Sequence, residues 1–361
     1  MKDNKKNILI VINGFEIGGA QNMVFEMLKC INRQEFEVNV LCYGACVRNS
    51  LTEKLDKIQK IKYLGITRKI TPLTIIKVMR EISKYKPDIV HAHLGGVVFA
   101  VLWGLLHHKP VIVTVHTKPE KAFPKRIIPY IEKGIYRNIV QLVAVSKENQ
   151  HMITQYFGIR ENKCVFINNG IDIRRYYRQA HEIFTFINVG RQDDNKNQIS
   201  ILRCFDRLHS ENSLIKLYLV GDGERHKTLI QQAQELGLSD CVIFTGNVGN
   251  TEKYYAMSDC YVQASYREAL PLTALEAMAS KLPIIATDVG GMKDIVRDDN
   301  GFLVVAGDEE EMFLRMRDVL EMSEVQRESY GRVSYDLIQE YSAERMTQKY
   351  EQLYKKRILS K

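Results

Sequence analysis

Along the first 170 residues, short apolar runs rich in β-branched residues alternate with longer stretches of helical pattern. ILIVI (8–12), VNVLCYG (38–44), DIVHAH (88–93), VIVTVH (111–116) and LVAVS (142–146) read as strands. Helices are expected over about 20–31, 72–85 and 95–107, and again ahead of 142. The second half repeats this grammar. Its strands are FTFINVG (184–190), KLYLVG (216–221), CVIFTG (241–246), CYVQAS (260–265) and PIIATD (283–288), and its helices cover about 197–209 and 224–236 and start again at Pro271. Strands separated by helices of this length form βαβ units, so the pattern predicts two parallel sheets in tandem, each covered on both faces. NNGIDIRRYYRQAHEI (168–183) is the expected connection. It sets a first domain at 1–168, a linker over 169–183 and a second domain at 184–340, followed by a polar, Lys- and Tyr-rich helix at about 341–361.

Composition changes this picture little. A chain of 361 residues is long enough for two domains, and 45% hydrophobic with 26% charged residues is ordinary for a globular protein. The polar start MKDNKKN leads straight into a strand and reads as no signal peptide, and the longest apolar run, 94–106, is too short to span a bilayer. Seven cysteines without a C-x-x-C pair read as reduced thiols of a cytoplasmic protein.

Charge adds more. Residues 1–170 hold 26 Lys and Arg against 13 Asp and Glu, whereas 171–361 hold 25 against 30. The basic first half, and within it the segment 118–139 with Lys118, Lys121, Lys125, Arg126, Lys133 and Arg137 among isoleucines, suits peripheral docking on an anionic membrane. The same segment also suits a surface helix packed on its own sheet. No nucleic-acid partner is expected.

Ligands of open parallel sheets bind beyond the carboxyl ends of the strands, so two facing sheets would form one cleft, and candidate residues should follow strands. After the first strand, Gly18-Gly19 precedes a helix and leaves its first N–H groups open to an anion. The loop is not G-x-G-x-x-G, and no acid ends the second strand, which disfavours a nicotinamide dehydrogenase. In GRQDDNKNQ (190–198), Arg191 and Lys196 offer a guanidinium fork and an ammonium to a diphosphate. GDGE (221–224) and TGNVGN (245–250) could keep a wall thin for a base or ribose.

REALPLTALEAMASKL (267–282) has Pro271 at the expected first helical position and an inward stripe of Leu275, Met278, Ala279 and Leu282. Glu276 lies off that stripe, about 8 Å up the axis at 1.5 Å per residue. A phosphate on the N–H groups of 270–273 would leave Glu276 near a ribose and Glu268 near whatever the phosphate carries. His91, His93 and His116 end neighbouring strands. His91 and His93 share a face like a metal pair, but no third ligand is near, so no metal is expected. His116 is the better candidate for touching substrate.

In order along the chain, IGGAQ, DIVHAHL, VTVH, AVSKENQ, VFINNGID, GRQDDNKN, LVGDGE, FTGNV, SYREALPLTALEAMASKLPIIATDVGG and DIVRDDNGFLV (294–304) together resemble the retaining glycosyltransferases of the GT-B fold, family four, over nearly the whole chain. The resemblance implies an α/β protein of two Rossmann-like domains facing across a cleft. It implies transfer of a hexose or N-acetylhexosamine from a nucleotide diphosphate sugar, here a UDP-sugar, with retention and without a metal or other cofactor. The acceptor would be a saccharide or lipid-linked saccharide in the synthesis of a cell-surface polysaccharide such as capsule or exopolysaccharide. Arg191 and Lys196 would neutralise the diphosphate and Glu276 would hold the ribose. Glu268 would bind the sugar, and the N–H groups of Leu270, Leu272 and Thr273 would hold phosphate or sugar. Gly18 and Gly19 would close over the phosphate, His116 would sit against sugar and acceptor, and the last helix would cross back to the first domain. Ala269 departs from the family's usual glycine. An epimerase or phosphorylase of the same architecture and a non-catalytic partner subunit are the alternatives.

Overall fold

The computed structural model describes residues 5–16, 18–67 and 70–359. The chain divides into two compact units, unit 1 from 1–170 plus 343–361 and unit 2 from 171–342.

Unit 1 is built on seven strands: β1 Lys6–Ile12, β2 Phe36–Cys42, β3 Ile61–Tyr63, β4 Ile89–His93, β5 Val111–Val115, β6 Val140–Ala144 and β7 Cys164–Phe166. They lie in the order β3-β2-β1-β4-β5-β6-β7, all parallel. The inner strands carry apolar residues on both faces because helices cover both; β4 and β5 are buried throughout. β3 and β7 are three-residue edge strands, too short to leave a periodic signal in the sequence.

The helix Ala343–Leu359 belongs to this unit although the whole of unit 2 precedes it in the chain. Its Met346, Tyr350, Leu353 and Tyr354, spaced to share one face, join Met23, Val24 and Met27 of the helix Gly19–Cys30 in one core. Arg357 fixes its far end by donating to Asn138 Oδ1 at 2.8 Å.

Unit 2 has six strands, β8 Phe184–Val189, β9 Ile215–Val220, β10 Val242–Gly246, β11 Cys260–Gln263, β12 Ile284–Thr287 and β13 Gly301–Val304. They are all parallel, in the order β10-β9-β8-β11-β12-β13. The segment expected as a linker is built into this unit. Ile171, Ile173 and Tyr176 lie in its core, and Ile171 bridges Ser342, so both crossings of the chain sit side by side. In each sheet the order reverses beside the first strand, at β1/β4 and at β8/β11, and that reversal opens a crevice beyond the strand ends. No helix among the described residues is long and apolar enough to cross a membrane.

Candidate functional site

In unit 2 the loops after β8 and β11 flank the switch point, and both carry the expected residues. Arg191 extends into solvent, its side chain 77% exposed, with Nε donating to Asp193 Oδ2 at 2.6 Å. The other oxygen of Asp193 accepts the backbone N–H of Lys196 at 3.0 Å and so shapes the turn. Lys196 Nζ reaches across to Glu268 Oε1 at 2.5 Å, with both side chains mostly buried. Gln263, at the end of β11, lies beneath this pair with Nε2 at 3.4 Å from the same carboxylate oxygen. Its Oε1 is buried without a partner among the described residues. Asn195 stitches the two loops together, donating from Nδ2 to Arg267 O at 3.0 Å and accepting from Tyr266 N at 2.8 Å.

Two close approaches hold these loops. Gly223 packs so tightly on Gln192 that a Cβ there would lie 2.2 Å from its carbonyl oxygen. Gly290, at φ +61°, sits under Glu268, where a Cβ would meet its carbonyl oxygen at 2.2 Å. The glycine pair of DVGG therefore supports the backbone at Glu268 and Ala269, and Gly291 N donates to Ala269 O at 2.5 Å.

The next helix runs Leu272–Ala279. Pro271 is its cap and not its first residue, because its ψ of 125° is extended. Glu276 is therefore about 6 Å along the axis from the helix start and not 8 Å. Leu275, Met278, Ala279 and Leu282 are buried as expected, and so are Leu270, Leu272, Ala274 and Ala277. Thr273 and Glu276, one turn apart, form the helix's partly open face. Tyr255 OH donates to Thr273 O and Tyr261 OH bonds Thr273 Oγ1, both at 2.9 Å. Burial pushes the Glu276 carboxyl up to about 7, a rise limited by the Tyr255 hydroxyl and by Arg175. Arg175 is ion-paired with Glu252, whose Oε2 is buried without a partner among the described residues.

This assembly suits an anion flanked by polar groups. The N–H groups of Leu272 and Thr273 at the helix start, the exposed Arg191 and the ammonium of Lys196 are groups suited to a diphosphate. An ionised Glu276 can accept two hydroxyls, and Glu268 can do so once Lys196 turns away.

In unit 1, Gly19 opens its helix exposed, and Gly18 caps it without a side-chain bond. The extended backbone at Gly18, φ −172°, suits any residue, so only the missing side chain matters there. The metal-like pair His91/His93 has a structural explanation. His91 is buried between Tyr354 OH at 2.7 Å and Thr114 Oγ1 at 2.8 Å, while His93 bonds His116 at 3.0 Å. No cluster that could hold a metal ion occurs among the described residues. In the basic segment 118–139, Phe123, Ile127, Ile131 and Ile135 are buried on the unit's own sheet, so its apolar stripe is not offered to a membrane. The surface there is left to exposed cations with Tyr130 and Tyr136.

Sequence reasoning missed Asp193, Gln263, Gly290, Tyr255, Tyr261, Arg175 and Glu252. Gly290 had a signal in its glycine pair after a strand. The others gave none, since a buried carboxylate or tyrosine looks like any other until its neighbours are known.

Two all-parallel, helix-covered sheets of seven and six strands place the protein in the GT-B class of α/β proteins. Anabaena HepE, solved in complex with UDP, matches with a TM-score of 0.82 over 97% of this chain and 100% of its own, a likeness of fold at 19% identity. The pattern of Glycosyltransferase Family 4 matches residues 17–175 and that of Glycosyl transferases group 1 matches 171–334. The chain belongs to this family of glycosyltransferases. Among its relatives, the Arabidopsis thaliana sulfoquinovosyl transferase SQD2 is 26% identical over 83% of this chain and 61% of its own length. The Escherichia coli UDP-Gal:alpha-D-GlcNAc-diphosphoundecaprenol alpha-1,3-galactosyltransferase is 23% identical over 81% of this chain and 82% of its own. Two further relatives are matched over 58% and 54% of their lengths.

Proposed function

We propose that the protein transfers one sugar from a UDP-sugar to a saccharide or lipid-linked saccharide acceptor, with retention of configuration, in the synthesis of a cell-surface polysaccharide. The observation that carries this reading is the Lys196–Glu268 pair, which joins the loops after β8 and β11 at the switch point of unit 2, with Arg191 in the first of these loops and Glu276 one turn into the helix that follows the second. Departure of a nucleoside diphosphate builds negative charge, which two cations and a helix N-terminus stabilise. These groups supply the charge that a divalent ion supplies in other sites, which supports a metal-independent reaction. Glu276 fits the ribose and Glu268 the sugar hydroxyls. From unit 1 the reading assigns the Gly18-Gly19 turn to the donor phosphate and His116 to sugar and acceptor. The lipid-linked acceptor is supported by the Escherichia coli relative's name, and the uracil base by that name and by the UDP complex of Anabaena HepE.

The test is incubation with UDP-, GDP- and ADP-sugars, with thermal shift for binding and mass spectrometry for released nucleotide and free sugar. A UDP-sugar is expected to stabilise the protein and to hydrolyse slowly without acceptor. No shift and no turnover with any of the panel would sink the reading. Conversion of the donor into a different nucleotide sugar would replace it with an epimerase. Peripheral docking rests only on the exposed cations of unit 1. It predicts salt-sensitive sedimentation with anionic vesicles, and no binding at low salt ends it.

A further inference from the structure

The ends of β4 and β5 carry a ladder of three histidines in unit 1. His91 lies at the bottom, its ring centroid 4.1 Å from that of His93, and His93 in turn meets His116, Nδ1 to Nε2 at 3.0 Å. Burial keeps all three neutral, pushing His91 down to about 3, His116 to about 4 and His93 well below its ordinary value. A neutral imidazole has one N–H and one lone pair, so each ring must choose which nitrogen carries the proton.

For His91 the choice is open. Its two nitrogens face the hydroxyls of Tyr354 and Thr114, and a hydroxyl can give or accept. His93 has no such freedom. It is fully buried, and its Nε2 has no hydrogen-bond partner among the described residues. With the proton on Nε2, His93 would hold a buried N–H with no acceptor, the costlier kind of orphan. With the proton on Nδ1, only a lone pair goes unmet, and the N–H is used on His116 Nε2.

We propose that His93 is a positioning residue that donates its Nδ1–H to His116 Nε2 and thereby locks His116 as the Nδ1–H tautomer. His116 is only partly buried, and its Nδ1 makes no hydrogen bond to the described residues. The open nitrogen of His116 is then a hydrogen-bond donor and not a base. It holds an oxygen of its ligand and takes no proton through Nδ1. Only the identity of that oxygen, on sugar or acceptor, rests on the glycosyltransferase reading.

The experiment is long-range ¹H–¹⁵N NMR of histidine-labelled protein without ligand, with the His116 signals assigned by their loss in His116→Gln. The expected result is a protonated Nδ1 and a bare Nε2 on His116. A protonated Nε2, or an average of the two tautomers, overturns the proposal. His93→Asn keeps a donor where Nδ1 stood and should keep the His116 signature, whereas His93→Phe should lose it; a signature unchanged in His93→Phe also overturns the proposal. In turnover, His93→Phe should lower kcat about tenfold or more with little change in donor KM, and His93→Asn should recover most of that loss. The NMR result does not depend on any substrate, so this proposal and the proposed function fail separately.

Discussion

Glu276 is where structure and chemistry pull apart. Its carboxyl is raised by burial to about 7, so the folded protein holds that proton more tightly than the unfolded chain does. Its contribution to stability is therefore full below about 4.5 and lost as pH rises through about 7. On the proposed assignment of Glu276 to the ribose of a UDP-sugar, binding uses the ionised form, which accepts hydroxyls, so UDP affinity should fall as pH drops below about 7. Calorimetry between pH 6 and 8 measures this, and Glu276→Gln should abolish both the affinity and its pH dependence. The same substitution should raise stability at pH 8, by on the order of 2 kcal/mol, and leave it nearly unchanged at pH 4. The Lys196–Glu268 pair gives a second prediction. Lys196→Ala should weaken UDP binding by about ten- to a hundredfold, one charge-assisted contact to phosphate, as read by calorimetry. Glu268→Gln should instead cut turnover by orders of magnitude while binding UDP normally, because the change leaves Lys196 free for phosphate. Normal turnover in Glu268→Gln would remove Glu268 from the reaction.

At the scale of elements, the helix Leu272–Ala279 is buried at every position except Thr273 and Glu276. Leu275→Ala should cost about 2–5 kcal/mol of unit 2's stability, measured by denaturant unfolding, since the side chain is fully buried. Gly290 is more specific. Gly290→Ala adds a methyl against the carbonyl of Glu268 at a left-handed backbone. The loop must shift, and donor binding should suffer more than stability does. An unchanged UDP affinity would mean that the loop tolerates displacement. The stripe Leu275, Met278, Ala279 and Leu282 and the position of Glu276 off it were legible from spacing alone. That Pro271 caps the helix and does not begin it was not, because proline fixes φ and leaves ψ to its surroundings.

At the scale of the whole molecule, unit 1 is discontinuous in sequence. The terminal helix Ala343–Leu359 places Met346, Tyr350, Leu353 and Tyr354 in its core and gives His91 a hydroxyl partner. Four such side chains contribute roughly 6–12 kcal/mol, comparable with a domain's entire net stability. Truncation before Ala343 should therefore abolish the calorimetric transition of unit 1 and spare that of unit 2. Two transitions in the truncated protein would show that this helix is dispensable.

The sequence by itself determined the architecture. Runs apolar on both faces, separated by helices, admit a parallel βαβ sheet and little else, and loops that follow strands locate candidate residues. It also displayed Arg191, Lys196, Glu268 and Glu276, because Arg191 follows Gly190 at a strand end, Lys196 shares that loop, and Glu268 and Glu276 flank Pro271. Only the tertiary structure decided how those residues are held. Asp193 on Arg191 and Gln263 under Glu268 are near neighbours in sequence whose contacts depend on how the loops fold, whereas Gly290 against the Glu268 carbonyl and the carboxyl of Glu252 near Glu276 are brought in from other elements. Likewise, His91 and His93 look alike in the sequence, two residues apart on one strand. Their roles separate because Tyr354, from the other end of the chain, and Thr114 satisfy one ring, while among the described residues the other hydrogen-bonds only His116.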